Sequence, residues 1–273
     1  MDARPIGIFD SGMGGLTVLH ECLVTMPNED FVYLGDTARF PYGPRPLEEL
    51  RRFAGEIGAY LERQGVKLVV VACNSATSAA LPALQAKLQV PVLGVLAPEA
   101  RAAVQATRNR HVGLLATPAT VESGRYSELV RALDAGVRLF PIACPELASL
   151  IESDEPYGSA TVEAVQGYAE RLKREGVDTV ILGCTHYPLI RHIFQRAFGR
   201  EVTLVFSAEE TAREVAETLR RKRIDNAADR QGSCRFLTTG DSELSRTLGE
   251  RFLQLPIPAV ERVDLSELAE VAA

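Results

Sequence analysis

Two cysteines stand out by position. Cys73 and Cys184 each follow an apolar β-branched run, Leu68–Ala72 and Thr179–Leu182, and each is followed by polar donors, Asn74-Ser75 and Thr185-His186. A sulfur at a strand end that opens a helix sits where the helix N-terminus favours thiolate, which predicts a lowered pKa. Hydroxyl, amide and backbone N–H groups after it suit a bound carboxylate. If the two sulfurs face one another across a cleft, a thiolate can remove a proton from one face of a carbon while the opposite thiol delivers one to the other face. That is acid–base inversion of a carbon centre, and it needs both groups. The alternative is that both are packing cysteines, since free cysteine is among the most buried residue types. Matched positions and matched polar neighbours favour chemistry. Cys22 and Cys234 lack this context and are expected in the core. Cys144, before Pro145, is expected to be structural.

Other polar residues also cluster at strand ends. His186, two residues after Cys184, could share that thiol's proton. Asp10 ends the first strand and could serve Cys73 likewise, or could only cap the turn Gly12–Gly15. Glu152, in Ser149-Leu150-Ile151-Glu152, is a weaker candidate in the second half, with an exposed helix-end carboxylate as the default reading. The run Gly12-Met13-Gly14-Gly15, with Asp36 further on, has a partial likeness to a dinucleotide fingerprint. However, Thr17 stands where its third glycine should be, and Asp10 would lie against the pyrophosphate. No CxxC or HxxxH pair marks a metal site at the strand ends. Only four lysines occur, Lys67, Lys87, Lys173 and Lys222, all at helix ends or strand starts among polar neighbours. None suits a pyridoxal-phosphate Schiff base. Neither cofactor nor metal is expected.

The elements that must place these residues alternate along the chain. Strand-like runs at Ile6–Phe9, Phe31–Leu34, Leu68–Ala72, Val92–Val95, Val112–Leu115, Val137–Phe140, Thr179–Leu182, Thr203–Phe206 and Arg235–Leu237 are separated by helical periodicity. Examples are Leu16–Met26, Pro46–Gln64, Ser75–Leu88, Glu99–Thr107, Thr161–Glu175 and Glu209–Arg221. Such alternation predicts an α/β fold with mainly parallel sheets flanked by helices. Ligands of such sheets bind beyond the carboxyl ends of the strands.

An internal echo divides the chain. Gly65-Val66 leads through a strand to Cys73, and Gly176-Val177 leads through a strand to Cys184; upstream, Ile6-Gly7-Ile8-Phe9 matches Val112-Gly113-Leu114-Leu115. Two echoes in the same order predict two similar domains with the site in the cleft between them. One crossover is expected near Pro98 and a second near Phe206-Ser207. The first domain would comprise residues 1–97 with 207–273, and the second residues 98–206.

The bulk numbers agree with a soluble enzyme. The chain has 273 residues, 46% hydrophobic and 24% charged, with a formal charge of −6. A net acidic chain without a basic stripe excludes a nucleic-acid surface. The cationic run Arg220–Arg223 is expected to complement a helix C-terminus. No run approaches the ~20 apolar residues of a membrane span. Met1–Arg4 leads straight into a strand rather than through a secretory leader. A cytoplasmic location is expected, where thiols stay reduced.

These segments resemble a known family. Ile6–Thr17, Gly35–Gly43, Ala72–Thr77 and Leu182–Pro188, together with Thr117 and Ser207–Ala212, are similar to the signatures of bacterial glutamate racemases, within the aspartate/glutamate racemase family. The resemblance runs from the N-terminus to about residue 240. It implies interconversion of L- and D-glutamate without pyridoxal phosphate or metal, supplying D-glutamate for peptidoglycan, in a homodimer with glutamate as partner. It implies Cys73 and Cys184 as acid–bases assisted by Asp10, Glu152 and His186. Asp10, Ser11, Tyr42, Gly43, Asn74, Ser75, Thr117, Thr185 and His186 would line the substrate site. The chain departs from the pattern at Ser75 (usually Thr), Glu99 (usually Gly), Phe206 (usually Asp) and in Cys144–Leu150. Other readings of the residues are a racemase for another acidic amino acid, an idle binding protein on the same fold, or a nucleotide-dependent oxidoreductase built on Gly12–Gly15.

Overall fold

The computed structural model describes residues 2–226 and 229–272. Strand β1 (Ile6–Asp10) leads to helix α1 (Leu16–Thr25), and β2 (Phe31–Gly35) to α2 (Leu47–Arg63). Then come β3 (Leu68–Val71), α3 (Asn74–Lys87), β4 (Val92–Gly94) and α4 (Leu96–Ala106). A second run follows: β5 (His111–Ala116), α5 (Pro118–Glu122), α6 (Arg125–Leu133), β6 (Arg138–Ala143), α7 (Leu147–Glu152), α8 (Ser159–Arg174), β7 (Thr179–Gly183), α9 (Arg191–Phe198) and β8 (Thr203–Val205). The chain ends with α10 (Ser207–Lys222), β9 (Cys234–Thr238), α11 (Ser242–Leu253), β10 (Glu261–Arg262) and α12 (Leu265–Ala272).

The strands form two sheets, ordered β10-β9-β2-β1-β3-β4 and β6-β5-β7-β8, and every pairing is parallel. The order β2-β1-β3-β4 repeats as β6-β5-β7-β8, so the echoed segments occupy equivalent strands: β1 matches β5, and β3 matches β7. Gly65 and Gly176, which close α2 and α8 before those strands, both hold positive φ, 77° and 68°. A side chain would be strained there. Leu68-Val69-Val70-Val71 is wholly buried, as a strand covered by helices on both faces must be. Each such residue contributes about 1.5–3 kcal/mol through burial.

Two helices carry the chain between the sheets. Helix α4 begins at Leu96, three residues earlier than the periodicity suggested. Pro98 therefore lies inside its first turn, where a missing N–H costs nothing. Helix α10 returns the chain and packs on α1 and α4. It ends in Arg220-Arg221-Lys222 with Arg223 in the left-handed conformation, φ 58°, so the cationic run does sit on a helix C-terminus. The two-residue strand β10 was too short to give a periodic signal. Cys22 and Cys144 are core residues, but Cys234, at the start of β9, is only half-buried and packs at the core's margin. Among the described residues no helix is long and apolar enough to cross a membrane.

Lys67 is not among polar surface groups. Its side chain is fully buried at the start of β3, where Nζ lies 2.6 Å from Glu29 Oε2 and donates to the Asp2 carbonyl at 2.7 Å. The pair ties the N-terminus and the α1–β2 loop to the first sheet. Glu29→Gln would strand a buried ammonium and should cost about 3 kcal/mol, read as a lower urea midpoint at unchanged slope. An unmoved midpoint would show that the ammonium is not confined as described.

Candidate active site

The carboxyl ends of β1, β2 and β3 in one sheet and of β5, β6 and β7 in the other converge on one cavity. Ser11, Phe40, Pro41, Tyr42, Gly43, Cys73, Asn74, Ser75, Thr117, Ala148, Cys184, Thr185 and His186 line it. Both thiols are therefore present, one from the end of β3 and one from the end of β7. They are 5% and 6% exposed, so each is screened from bulk water yet reaches the cavity.

Cys73 caps α3, its sulfur accepting the Ala76 N–H at 3.5 Å, and Ser11 also hydrogen-bonds the sulfur. The expectation of a lowered thiol pKa is nevertheless overturned here. Burial, reinforced by the nearby Asp10 carboxylate, outweighs both hydrogen bonds and pushes Cys73 up to about 12. A helix N-terminus is a partial charge, whereas desolvation acts on the whole thiolate. Cys184 has a different setting. It precedes a 3-10 turn, Tyr187–Ile190, rather than a full helix, and its sulfur lies 3.6 Å from His186 Nδ1.

His186 is the hub of the second half. Its Nε2 meets Glu152 Oε1 at 2.8 Å, and its ring lies between Phe40 and Phe252 at centroid distances of 5.6 and 5.3 Å. Burial opposes its charge, but the Cys184 sulfur and the Glu152 carboxylate outweigh that and raise its pKa well above the usual imidazole value. Glu152, the last residue of α7, is thus no free helix-end carboxylate. A Cβ on Gly14 would come within 2.6 Å of this ring, so only glycine lets the first half close on it.

Asp10 is fully buried. It accepts the Gly12 N–H at 3.1 Å and the Thr185 hydroxyl at 3.3 Å, so its hydrogen bonds cap the turn and bridge to the other half. Burial raises its pKa, against the opposing pull of His186. The dinucleotide likeness of Gly12–Gly15 ends here: the space over the turn is taken by His186, Thr185 and Glu152 side chains rather than left for a pyrophosphate. Thr17 adds a further tie, donating to the Gly14 and Thr185 carbonyls at 2.9 and 3.2 Å.

The remaining lining residues bring hydroxyls together. Ser75, Thr117 and Thr120 form a triangle, with Ser75 Oγ 2.8 Å from Thr117 Oγ1 and Thr117 Oγ1 3.1 Å from Thr120 Oγ1. Thr117 also caps α5. Gly43 abuts Thr117 and its carbonyl accepts the Ala119 N–H at 2.9 Å. Tyr42 lines the cavity, but its hydroxyl is engaged by Asp36, which also takes Arg39 Nε at 2.6 Å; Arg39 reaches on to Glu56. This buried network makes Tyr42 a wall and an anchor for the Pro41–Gly43 loop, not a free hydroxyl. Sequence reasoning had not singled out Phe40, Pro41, Ala148, Thr120 or Phe252. The first two lay inside a quoted motif and Thr120 stands three residues after a cap, whereas Phe252 reaches the site from α11 without any local signal.

A cavity lined by a buried thiol from each sheet, hydroxyls and an amide fits proton transfer on a small carboxylate-bearing substrate. A sequence model of the "Asp/Glu/Hydantoin racemase" family matches residues 19–215. The glutamate racemase of Corynebacterium diphtheriae is 46% identical over 96% of this chain and 98% of its own. Among solved structures, glutamate racemase isoform RacE1 from Bacillus anthracis superposes with a TM-score of 0.92 at 39% identity, covering 97% and 99% of the two chains. The Francisella tularensis glutamate racemase in complex with D-glutamate gives 0.90 at 30% identity, covering 97% and 99%. The chain belongs to the Asp/Glu/Hydantoin racemase family and is an isomerase of the amino-acid racemase class.

Two outcomes follow from the His186 environment. Its folded-state pKa lies above the usual 6.5. The stabilisation from a charged His186 is therefore complete below pH about 6.5 and is lost as pH rises through the folded value. Glu152→Gln should lower the midpoint of the His186 Cε1–H titration by NMR and cost stability chiefly on the acid side. An unmoved titration would remove Glu152 from this role. Gly14→Ala should displace the ring and lower racemase kcat by about 10²-fold, as a misplacement near 1 Å does, in a protein with unchanged far-UV circular dichroism. Wild-type turnover would show that the ring is free to shift.

Proposed function

We propose that this chain interconverts L- and D-glutamate by a two-base transfer at Cα, with Cys73 and Cys184 as the opposed acid–bases and no cofactor. The observation that carries the reading is that both sulfurs line one cavity from equivalent strand ends of two sheets with the same strand order. Similarity to glutamate racemases over almost the full length supports glutamate as the substrate.

In this reading Cys184, as thiolate beside His186, removes the α-proton of L-glutamate, forming an S–H bond as the Cα–H bond breaks. The Cys73 thiol gives its proton to the opposite face, leaving D-glutamate and a Cys73 thiolate. The reverse direction exchanges the roles. The high Cys73 pKa suits a resting thiol that acts as acid. His186 and Glu152 hold the charge balance at Cys184. Asp10 orders the Gly12–Gly15 turn and, with Thr185, offers acceptors to the substrate ammonium. Ser11, Asn74, Ser75, Thr117 and Thr185 provide polar contacts, with the Tyr42-Gly43 backbone closing the wall. Positioned acid–base groups of this kind contribute about 10²–10⁴-fold each.

The same reading assigns residues 1–97 with 207–273 to one domain and 98–206 to the other. It places the enzyme in the cytoplasm, where its catalytic thiols stay reduced, as a homodimer supplying D-glutamate for peptidoglycan.

Circular dichroism of wild-type protein with L-glutamate alone should decay to zero, while Cys73→Ser and Cys184→Ser each lose at least 10²-fold of that rate. In deuterated solvent, Cys73→Ser should still exchange the α-proton of L-glutamate, and Cys184→Ser that of D-glutamate. Full racemisation by either variant sinks the two-thiol mechanism. A wild type silent with glutamate but active with another amino acid reassigns the substrate.

A further inference from the structure

Behind the cavity wall, Asn74 is held in a way that the proton-transfer scheme does not require. Its Nδ2 donates to Glu99 Oε2 at 3.2 Å and to the Tyr126 hydroxyl at 2.9 Å, and Tyr126 in turn donates to Glu99 Oε2. The three groups close a triangle. Asn74 comes from α3 in the first half, Glu99 from the crossover helix α4, and Tyr126 from α6 in the second half. Glu99 is fully buried and Tyr126 nearly so. Asn74 itself lines the cavity beside Cys73, and its Oδ1 is buried without a hydrogen-bond partner.

That leaves a definite chemical polarity. Both N–H donors of the amide are taken by the triangle, so the amide atom left without a partner is an acceptor. A buried acceptor without a partner is costly, and in a site for an amino acid the complementary group is the substrate's α-ammonium, not its carboxylates. We propose that Glu99 is a positioning residue: with Tyr126 it fixes the Asn74 amide so that Oδ1 faces the substrate ammonium, and it does so across the joint between the two halves. The inference rests on the racemase reading above. Burial pushes Glu99 up to about 8, so near neutrality the carboxyl is largely uncharged and needs no counter-ion. A Gln at this position has the same shape and keeps the accepting oxygen.

The test is steady-state racemisation of L- and D-glutamate by wild type, Glu99→Gln, Glu99→Ala and Tyr126→Phe, with thermal midpoints measured alongside. The expected result is a KM about tenfold higher for Glu99→Ala and Tyr126→Phe in both directions, as loss of a contact to a charged group implies. Their kcat should fall by much less, and Glu99→Gln should stay close to wild type. KM unchanged in both folded variants, or Gln as impaired as Ala, overturns the role of Glu99 while leaving the racemase reading intact. Tyr126→Phe keeps the test open if Glu99→Ala does not fold. A wild type without activity on glutamate instead overturns the functional reading, and the proposal with it.

Discussion

How closely the two sheets approach at their carboxyl ends governs everything else in this molecule. Gly14 admits the His186 ring to where a methyl group would stand 2.6 Å from it, and Gly43 meets Thr117 with 2.9 Å for the same hypothetical atom. These contacts let the halves close around the two buried thiols. Within the cavity that remains, the electrostatics are those of a low-dielectric site, where a nearby charge counts for far more than in water. Desolvation can then hold a thiol protonated at one end while an ion pair holds charge at the other. Loosening the approach would lose both effects together.

The two halves share a strand order but not their means of support. Cys73 is held by a helix-capping N–H and by Ser11, and burial still keeps its proton on. Cys184 has a histidine backed by a carboxylate. Backbone repetition therefore sets where the sulfurs are, while the side chains around each differ. A reversible enzyme needs the two protonation states to be close in energy once substrate is bound. Under the proposed two-base reading they need not be so before substrate binds, since the ammonium and two carboxylates of glutamate would alter the field at both thiols.

Much of this was legible in the sequence because it is local. Alternating β-branched runs and helical stretches fixed the parallel sheets, and the repeated Gly-Val–strand–Cys unit pointed to equivalent strands. The polar residues following each cysteine pointed to a site. What was not legible depends on partners distant in sequence. No spacing rule links Glu152 to His186, Phe252 to the same ring, or Arg39 to Glu56. The pKa of Cys73 was misjudged for the same reason: a helix N-terminus can be read from neighbouring residues, but burial is decided by the whole fold. Helix α4 began early because a proline permitted in a first turn looks, in sequence, like a boundary.

Glu99 illustrates the limit from the other side. Set against the family pattern it is only a substitution of the usual glycine, and in sequence it sits in a plain amphipathic helix start. Its meaning comes from geometry: it links α3, α4 and α6 by carrying an acceptor to the Tyr126 hydroxyl and to the Asn74 amide, both buried. A polar group added at such a joint is destabilising alone and stabilising only when every donor finds it. Its partners are therefore as informative as the residue itself, and those partners converge on the amide next to Cys73.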